Sequence, residues 1–146
     1  MTEQAERYDR IAEGYAQWWG PAIAPRALDA LDLLEPAVAA GARRIVDIGT
    51  GTGTLAIAAI RRWPEVEVVG IDASREMAHG ADGEADRLLD GPDRRRFETR
   101  VAFADELPFE DGAFDAAMSS FVFQLVPSRP RALREARRVL RPGGTL

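Results

Sequence analysis

Three glycines within five positions, Gly49, Gly51 and Gly53, interrupt an otherwise apolar stretch of the chain. The apolar residues 45–48 before them are mostly β-branched, as in a strand buried on both faces, and residues 54–60 favour a helix. Glycine permits positive φ angles and lets a ligand approach the backbone, next to the unpaired N–H groups at a helix start. A tight connection alone usually needs one glycine, so this spacing predicts a ligand-binding turn.

Two aspartates each follow a predicted strand. Asp72 ends the apolar strand Val66–Ile71 and lies about 20 positions after Gly51, whereas Asp105 follows the alternating strand Phe97–Phe103. The carboxyl ends of parallel strands share one edge of a sheet, so Asp72 could accept hydrogen bonds from ribose hydroxyls and Asp105 from an adenine amino group. The competing interpretations are a helix cap for Asp72 and a turn aspartate for Asp105.

Three further side chains are candidates for contact with the same ligand. Met77, in the helix predicted after Asp72, could press on a purine face, although a buried methionine is more often core filler. Tyr8 and Tyr15 share the apolar face of an amphipathic helix predicted from Thr2 to Trp19. That face is expected to dock on the core, and its tyrosines could also close the mouth of a ligand site.

The amino-acid composition limits the kinds of site and partner that the chain can have. The chain has 146 residues, no cysteine and one histidine, which excludes thiolate chemistry and makes a histidine metal site implausible. Its net charge of −5 disfavours a broad phosphate-binding surface, so we expect no nucleic-acid partner and favour a small cationic ligand. No apolar run is long enough to cross a bilayer and the start lacks the features of a signal peptide, so we expect a cytoplasmic protein without a membrane partner.

We expect one domain over residues 1–146, with N-terminal helices in 1–40 and an α/β core in 41–146. Gly20-Pro21 is predicted to end the first helix, Glu35-Pro36 to interrupt the second, and Gly80–Gly83 to weaken the third. Later elements are a strand over Phe114–Ser120, a helix over Pro130–Leu140 and a fifth strand from Gly144.

Two families of nucleoside-binding protein share parts of this pattern. Gly51-Thr52-Gly53-Thr54-Leu55-Ala56 fits the dinucleotide motif G-x-G-x-x-G/A, which would suit an NAD(P)-binding oxidoreductase. The chain as a whole resembles the class I S-adenosylmethionine-dependent methyltransferases, particularly the small-molecule branch that includes ubiquinone and menaquinone biosynthesis enzymes. The segments that carry the resemblance, in the family's order, are Asp47–Gly53, Gly70–Ser74, Ala104–Phe109, Phe114-Asp115 and Val139–Leu146.

This resemblance implies a Rossmann-like, doubly wound parallel sheet with strand order 3-2-1-4-5 and N-terminal cap helices. It implies S-adenosyl-L-methionine as the cofactor and a small-molecule methyl acceptor as the partner. By the same resemblance, the three glycines line the methionine moiety, Asp47 holds its ammonium, Asp72 binds the ribose and Asp105 the adenine. The full set of cofactor-binding residues expected from these motifs is Tyr8, Tyr15, Asp47, Gly49, Thr50, Gly51, Gly53, Asp72, Ala73, Met77, Asp105 and Glu106.

The resemblance identifies no catalytic residue. Gln124 stands where related sequences often carry a histidine, so a general base cannot be assigned there. The family sheet normally has seven strands, and this chain ends inside the fifth, so we expect a truncated domain that is incomplete at the C-terminal side. The fourth strand would then keep an unpaired edge, which favours self-association. A third hypothesis is therefore a non-catalytic module that binds a nucleoside or another protein.

Overall fold

The computed structural model describes residues 3–14, 18 and 20–146. In chain order, its elements are α1 (Glu3–Gly14), α2 (Gly20–Ala39), β1 (Arg44–Ile48), α3 (Thr54–Arg62), β2 (Glu67–Asp72), α4 (Arg75–Leu88), α5 (Gly91–Arg94), β3 (Phe97–Val101), β4 (Phe114–Met118), α6 (Arg129–Val139) and β5 (Leu140–Thr145).

The strands form one parallel sheet in the order β3-β2-β1-β4-β5. This order confirms the fold predicted from the sequence. β1 lies at the centre, and its residues 45–48 are all buried, because helices cover both faces of a parallel sheet. Asp47 on β1 is in register with Gly70 on β2, so the two positions are neighbours in the sheet.

Successive residues of β1 contribute to two separate apolar layers. Ile45 belongs to the layer formed with α2, α3 and α4, whereas Val46 and Ile48 belong to the layer formed with α6 and residues 102–109. This alternation is the side-chain period of a strand, and here both faces are apolar. The sheet is thereby fixed from both sides, and the carboxyl ends of its central strands are held in constant positions.

The helices are more continuous than the sequence predicted. α2 begins at Gly20 and runs through both Pro25 and Pro36, so the predicted interruption at Glu35-Pro36 is wrong. The buried residues Leu31 and Leu34 pack against the core, and this packing outweighs the local cost of proline. The predicted end of the first helix at Gly20-Pro21 depends on residues 15–17 and 19, which lie outside the described residues.

The glycines of the third predicted helix do not weaken it. α4 is continuous through Gly80 and Gly83, because its alanines Ala81 and Ala85 are fully buried against the sheet layer. β3 and β4 each end two residues earlier than predicted, at Val101 and Met118.

The largest difference concerns the last strand. β5 begins at Leu140, directly after α6, and pairs with β4. Phe114 is the register partner of Leu140, and Ala116 is the partner of Thr145, with a shift of register between these two pairs. The prediction that the fifth strand starts at Gly144 and leaves β4 unpaired is therefore wrong. A Cβ on Gly144 would lie 2.9 Å from the carbonyl oxygen of Asp115, so glycine is needed where the bulge approaches β4. The outer edge of the sheet on this side belongs to β5.

Candidate functional site

The turn after β1 is attached to the end of β2. The backbone N–H groups of Gly49 and Thr50 both donate to the carbonyl oxygen of Ile71, each at 2.8 Å. α3 begins just beyond, with Gly53 as its N-cap residue. The carboxyl ends of the two central strands and the start of a helix therefore meet at one place, which is where open α/β sheets bind ligands.

The three glycines of the turn all have positive φ angles, but their surroundings differ. A Cβ on Gly49 would lie 2.3 Å from a methyl group of Val122, so the loop after β4 packs directly on this residue. A Cβ on Gly53 would lie 3.2 Å from the Cβ of Ala81, so this glycine allows α3 and α4 to approach. Nothing lies within 4 Å of a Cβ on Gly51, so only this glycine faces open space.

Asp72 connects the glycine turn to the start of α4. Its Oδ2 accepts from the backbone N–H of Gly51 at 2.9 Å, and its Oδ1 accepts from that of Ser74 at 2.9 Å. The N-cap of α4 is Ser74, whose Oγ accepts from the Met77 N–H at 3.1 Å. Asp72 therefore precedes the cap, and each oxygen keeps acceptor capacity for a ligand. Burial raises its pKa, although the two backbone hydrogen bonds oppose this effect.

Asp47 is a buried carboxyl group on the other side of the same turn, with 1% of its surface exposed. The hydroxyl of Thr50 donates to its Oδ2 at 2.8 Å. Burial raises the pKa of Asp47 to about 7, opposed by the Thr50 hydrogen bond and reinforced by the nearby Asp72 carboxylate. Such a group is poised to ionise when a cation binds next to it, because the cation compensates for the lost hydration.

A first cavity lies on the β2 side of the glycine turn. Its wall includes four predicted ligand residues outside the turn, Asp72, Ala73, Met77 and Asp105, and two within it, Gly49 and Gly51. Ser74, which was not predicted, also lines it. Asp72 and Asp105 thus face a common space, as their positions after adjacent strands predicted. The opposite wall is formed by the apolar loop 120–127.

A second cavity lies on the other side of the turn, between the starts of α2 and α3. Asp47 and Thr50 line it, and so do Ile23, Ala24 and Ala27 of α2. Both cavities share Gly49, Gly51 and Ser120, so they meet at the backbone of the turn. One elongated ligand that lies across the turn would reach the Asp72 carboxylate at one end and the Asp47 carboxylate at the other.

Two of the predicted ligand residues are not brought to either cavity. Gly53 packs below the turn against Ala81, as described above. Glu106 is exposed, and its carboxylate lies 3.9 Å from the guanidinium of Arg131 in α6. Of the two tyrosines, Tyr15 lies outside the described residues, and only the backbone of Tyr8 is described, within α1.

The sequence did not assign a role to the loop that closes the first cavity. Phe121, Val122, Leu125, Val126 and Pro127 all line it. The signal was an apolar run without strand or helix periodicity after the fourth strand, which is unusual for a solvent-exposed connection. Phe121 has a φ of 59°, the left-handed conformation that is costly for a bulky residue.

A second unassigned residue joins the N-terminal helix to the site. The side chain of Asp9 in α1 accepts from the hydroxyl of Ser74 and, at 3.3 Å, from the backbone N–H of Glu76. An acidic side chain at the start of α4 is favourable because the first N–H groups of a helix are unpaired and partly positive. Asp9 therefore holds α1 beside the first cavity.

Asp115, by contrast, has a structural role at the opposite end of the sheet. Its Oδ2 accepts from the backbone N–H groups of Arg43 and Arg44 at 2.8 and 2.9 Å, and Arg141 lies 2.8 Å from its Oδ1. Burial alone would raise the pKa of Asp115, but these hydrogen bonds and charges lower it overall. The Phe114-Asp115 motif thus fixes the start of β1 against β4 and β5.

None of the helices described by the structure is long and apolar enough to cross a membrane. Within residues 3–14, 18 and 20–146, no group of three or more potential ligands could hold a metal ion.

The chain is similar in sequence to known methyltransferases. Residues 45–144 match the family described as "Methyltransferase domain". The chain is 38% identical over 107 residues to a ubiquinone/menaquinone biosynthesis C-methyltransferase of Geobacter sp. strain M21, a match that covers 73% of this chain and 44% of the relative. An enzyme of the same description from Dinoroseobacter shibae is 35% identical over 151 residues, covering 100% of this chain and 55% of the relative.

A solved structure is also similar to this chain. A putative methyltransferase, solved in complex with the Haloferax volcanii Trm112 methyltransferase activator, superimposes with a TM-score of 0.69 at 27% identity, over 94% of this chain and 57% of that chain. The chain spans about half the length of the curated relatives it matches. Because the family match covers most of the chain, from β1 to β5, this chain belongs to the methyltransferase domain family, whose methyl donor is S-adenosylmethionine.

Proposed function

We propose that this chain binds S-adenosylmethionine across the glycine turn and transfers its methyl group to a small-molecule acceptor. The single observation that carries the proposal is the arrangement of carboxylates around two cavities that meet at Gly51. Asp72 and Asp105 line one cavity and Asp47 lines the other. Within the part of the chain that the structure describes, the lining residues of these cavities include no arginine or histidine.

The charge of this site favours a cationic ligand over a dinucleotide. Acidic groups attract a sulfonium and an ammonium, whereas they repel a pyrophosphate. The Gly51 N–H, which a pyrophosphate would use in a dinucleotide site, already donates to Asp72. Together with the family match, this argues against the nicotinamide-dependent oxidoreductase considered from the sequence.

We assign the ends of the ligand by chemistry. Asp72 would accept from the ribose hydroxyls and Asp105 from the adenine amino group, while Ala73 and Met77 offer an apolar surface to the purine. Asp47 would face the ammonium group of the methionine moiety, because a buried carboxylate is stabilised by an adjacent cation. Gly49 and Gly51 keep the backbone free of side chains between these ends, and Thr50 holds the Asp47 carboxylate.

The bound cofactor supplies an activated methyl group on sulfur, and this chain aligns it with an acceptor nucleophile and excludes water. The loop 120–127 presents an apolar wall to the first cavity, so we propose a small acceptor with an apolar part. The similarity to ubiquinone/menaquinone biosynthesis C-methyltransferases supports acceptors of the quinol type. No described residue of the cavities is assigned as a general base.

A turnover assay tests this function. The chain is incubated with S-adenosylmethionine and with quinol, phenol or amine acceptors, and formation of S-adenosylhomocysteine is measured. We expect acceptor-dependent product with at least one acceptor class. Cofactor binding without turnover on any acceptor would instead support the non-catalytic binding module.

We propose that residues 1–146 act as one cofactor-binding unit and that the edge of β5 mediates weak self-association. An edge strand has unpaired backbone groups that attract another strand, although Pro142 and the bulge near Gly144 restrict this edge. Light scattering over a concentration series tests the association, and a mass that stays monomeric at the highest concentration would contradict it. The cytoplasmic location, and the lack of nucleic-acid and membrane partners, stay predictions that cell fractionation and binding assays would check.

A further inference from the structure

The structure contains a glycine whose role lies outside the glycine turn. Gly70 is in the interior of β2, directly in register with Asp47 of β1. Glycine weakens a strand interior, and it commonly marks a place where another group must approach the backbone closely. Gly70 is therefore expected to make room for a particular neighbour.

That neighbour is Thr50. A Cβ on Gly70 would lie 2.8 Å from Thr50 Oγ1 and 2.9 Å from both Thr50 Cβ and Thr50 Cγ2. Because the Cβ of Thr50 is itself one of these atoms, rotation of the Thr50 side chain about its Cα–Cβ bond cannot relieve the overlap. A side chain at position 70 would have to displace the backbone of the turn.

Thr50 connects this space to the ligand site in two ways. Its hydroxyl donates to Asp47 Oδ2 at 2.8 Å, which orients a carboxylate that is almost completely buried. Its backbone N–H donates to the carbonyl oxygen of Ile71 at 2.8 Å, which fixes the turn above the end of β2. A displaced Thr50 would therefore change both the direction of the Asp47 carboxylate and the position of Gly51.

We propose that Gly70 is a positioning residue of the cofactor site, acting through Thr50 on Asp47. This inference rests on the proposed function, because it concerns the affinity for S-adenosylmethionine. Gly70 lines neither of the two cavities, so its effect on the ligand is indirect.

The first test compares two glycine-to-alanine variants by calorimetric titration with S-adenosylmethionine and S-adenosylhomocysteine. Gly70→Ala is expected to weaken binding of both by at least about tenfold, the lower end of what loss of a hydrogen bond to a charged group causes. Gly83→Ala is the matched control, because a Cβ there would meet nothing within 4 Å. The control is expected to bind as tightly as the wild-type chain.

A double-mutant cycle then tests whether the effect passes through Thr50. Thr50→Gly removes all three atoms that the new Cβ would meet, so it weakens binding by itself but relieves the overlap. We expect Gly70→Ala to cause no further loss of affinity in the Thr50→Gly background. An equal additional loss in both backgrounds would mean that Gly70 acts through other neighbours, and the proposal would be wrong.

A pH profile provides a readout that a purely structural effect would not change. The Thr50 hydrogen bond lowers the pKa of Asp47, whereas burial and the Asp72 carboxylate raise it. Loss of that hydrogen bond in Gly70→Ala should therefore move the midpoint of pH-dependent binding to higher pH. An unchanged midpoint in a variant with weakened affinity would overturn the role of Thr50 and Asp47.

The outcomes separate this inference from the proposed function. No binding of either ligand by the folded wild-type chain would overturn both. Tight binding by the wild-type chain and equally tight binding by Gly70→Ala would overturn only the positioning role. If Gly70→Ala does not fold, thermal unfolding of the double variant decides: recovery of a folded state on adding Thr50→Gly supports the overlap, and no recovery contradicts it.

Discussion

Affinity for S-adenosylmethionine should depend on the ionisation of Asp47. Burial raises the pKa of this carboxyl group to about 7. If only the ionised group binds the ligand's ammonium, affinity is proportional to the ionised fraction, which falls from about one half at pH 7 to about 3% at pH 5.5. We therefore expect binding to weaken by about fifteenfold between these values. The range stops at pH 7 because α-amino groups themselves titrate near pH 8.

The stability of the ligand-free chain should fall as the pH rises, over the same range in which the affinity for the ligand increases. The folded state holds a proton on Asp47 up to about pH 7, whereas the unfolded chain releases it near the ordinary value of 3.8. The folded state therefore binds more protons within this window, and stability falls as the pH rises. A single group with this shift contributes a loss on the order of 2 kcal/mol between pH 5 and pH 7. Asp115 and Glu135 have lowered pKa values and stay ionised throughout this range.

Asp47→Asn isolates the group responsible. The amide oxygen of asparagine can still accept from the Thr50 hydroxyl, so the local geometry is conserved while the titrating proton is removed. Calorimetric titrations and thermal unfolding of both chains between pH 5.5 and pH 7 would be compared. We expect the variant to bind weakly at every pH and to lose most of the pH dependence of both quantities. The assignment of Asp47 to the ammonium would be refuted by a wild-type affinity that does not change with pH. It would also be refuted if the affinity of the variant depended on pH as steeply as that of the wild-type chain.

Three other substitutions follow from the same geometry. Asp72→Ala should weaken binding of S-adenosylmethionine by about 1.5–3 kcal/mol, the loss expected for hydrogen bonds to a charged group. The control Glu67→Ala, at the other end of β2, should bind as tightly as the wild-type chain. If calorimetry gives Asp72→Ala the same affinity as the wild-type chain, Asp72 does not bind the ribose. Gly51→Ala should weaken binding because a Cβ there enters the open space of the turn, and unchanged affinity in a titration would count against a ligand at this position. Arg138→Ala should lower the free energy of unfolding by about 2–4 kcal/mol. The guanidinium of Arg138 donates hydrogen bonds to the carbonyl oxygens of Leu107 and Phe109 and forms ion pairs with two carboxylates. A denaturant midpoint equal to that of the wild-type chain would contradict this prediction.

The parts of the fold that the sequence predicted well are those with strong local signals. The buried strand β1, the glycine turn and Asp72 could be found because apolar periodicity, glycine spacing and the meeting of parallel strand ends each constrain the structure. Strand order followed from the resemblance to the methyltransferases. Helix continuity through Pro36 and Gly83 could not be predicted, because tertiary packing of Leu34 and Ala85 overrides local propensity there.

The sequence predicted some of the residues that line the two cavities but not the loop and the helix contact around them. Asp72 and Asp105 could be found because each lies at or after the end of a predicted strand and has a side chain that accepts hydrogen bonds, whereas Asp47, inside β1, was named only through the family resemblance. The apolar wall at Val122 has no such chemical signature, and the contact of Asp9 with α4 depends on how α1 docks. Motif spacing also does not show which glycines lie next to a ligand and which pack against another helix or loop. Only the atoms around each glycine in the structure distinguish the two kinds.

The most direct test of the central claim is a calorimetric titration of one folded sample with S-adenosylmethionine, S-adenosylhomocysteine and NADH. Carboxylates on both sides of the glycine turn predict saturable binding of the first two ligands and no comparable binding of NADH. Tight binding of NADH, with no binding of S-adenosylmethionine even at millimolar concentration, would contradict the assignment of this site to a sulfonium cofactor.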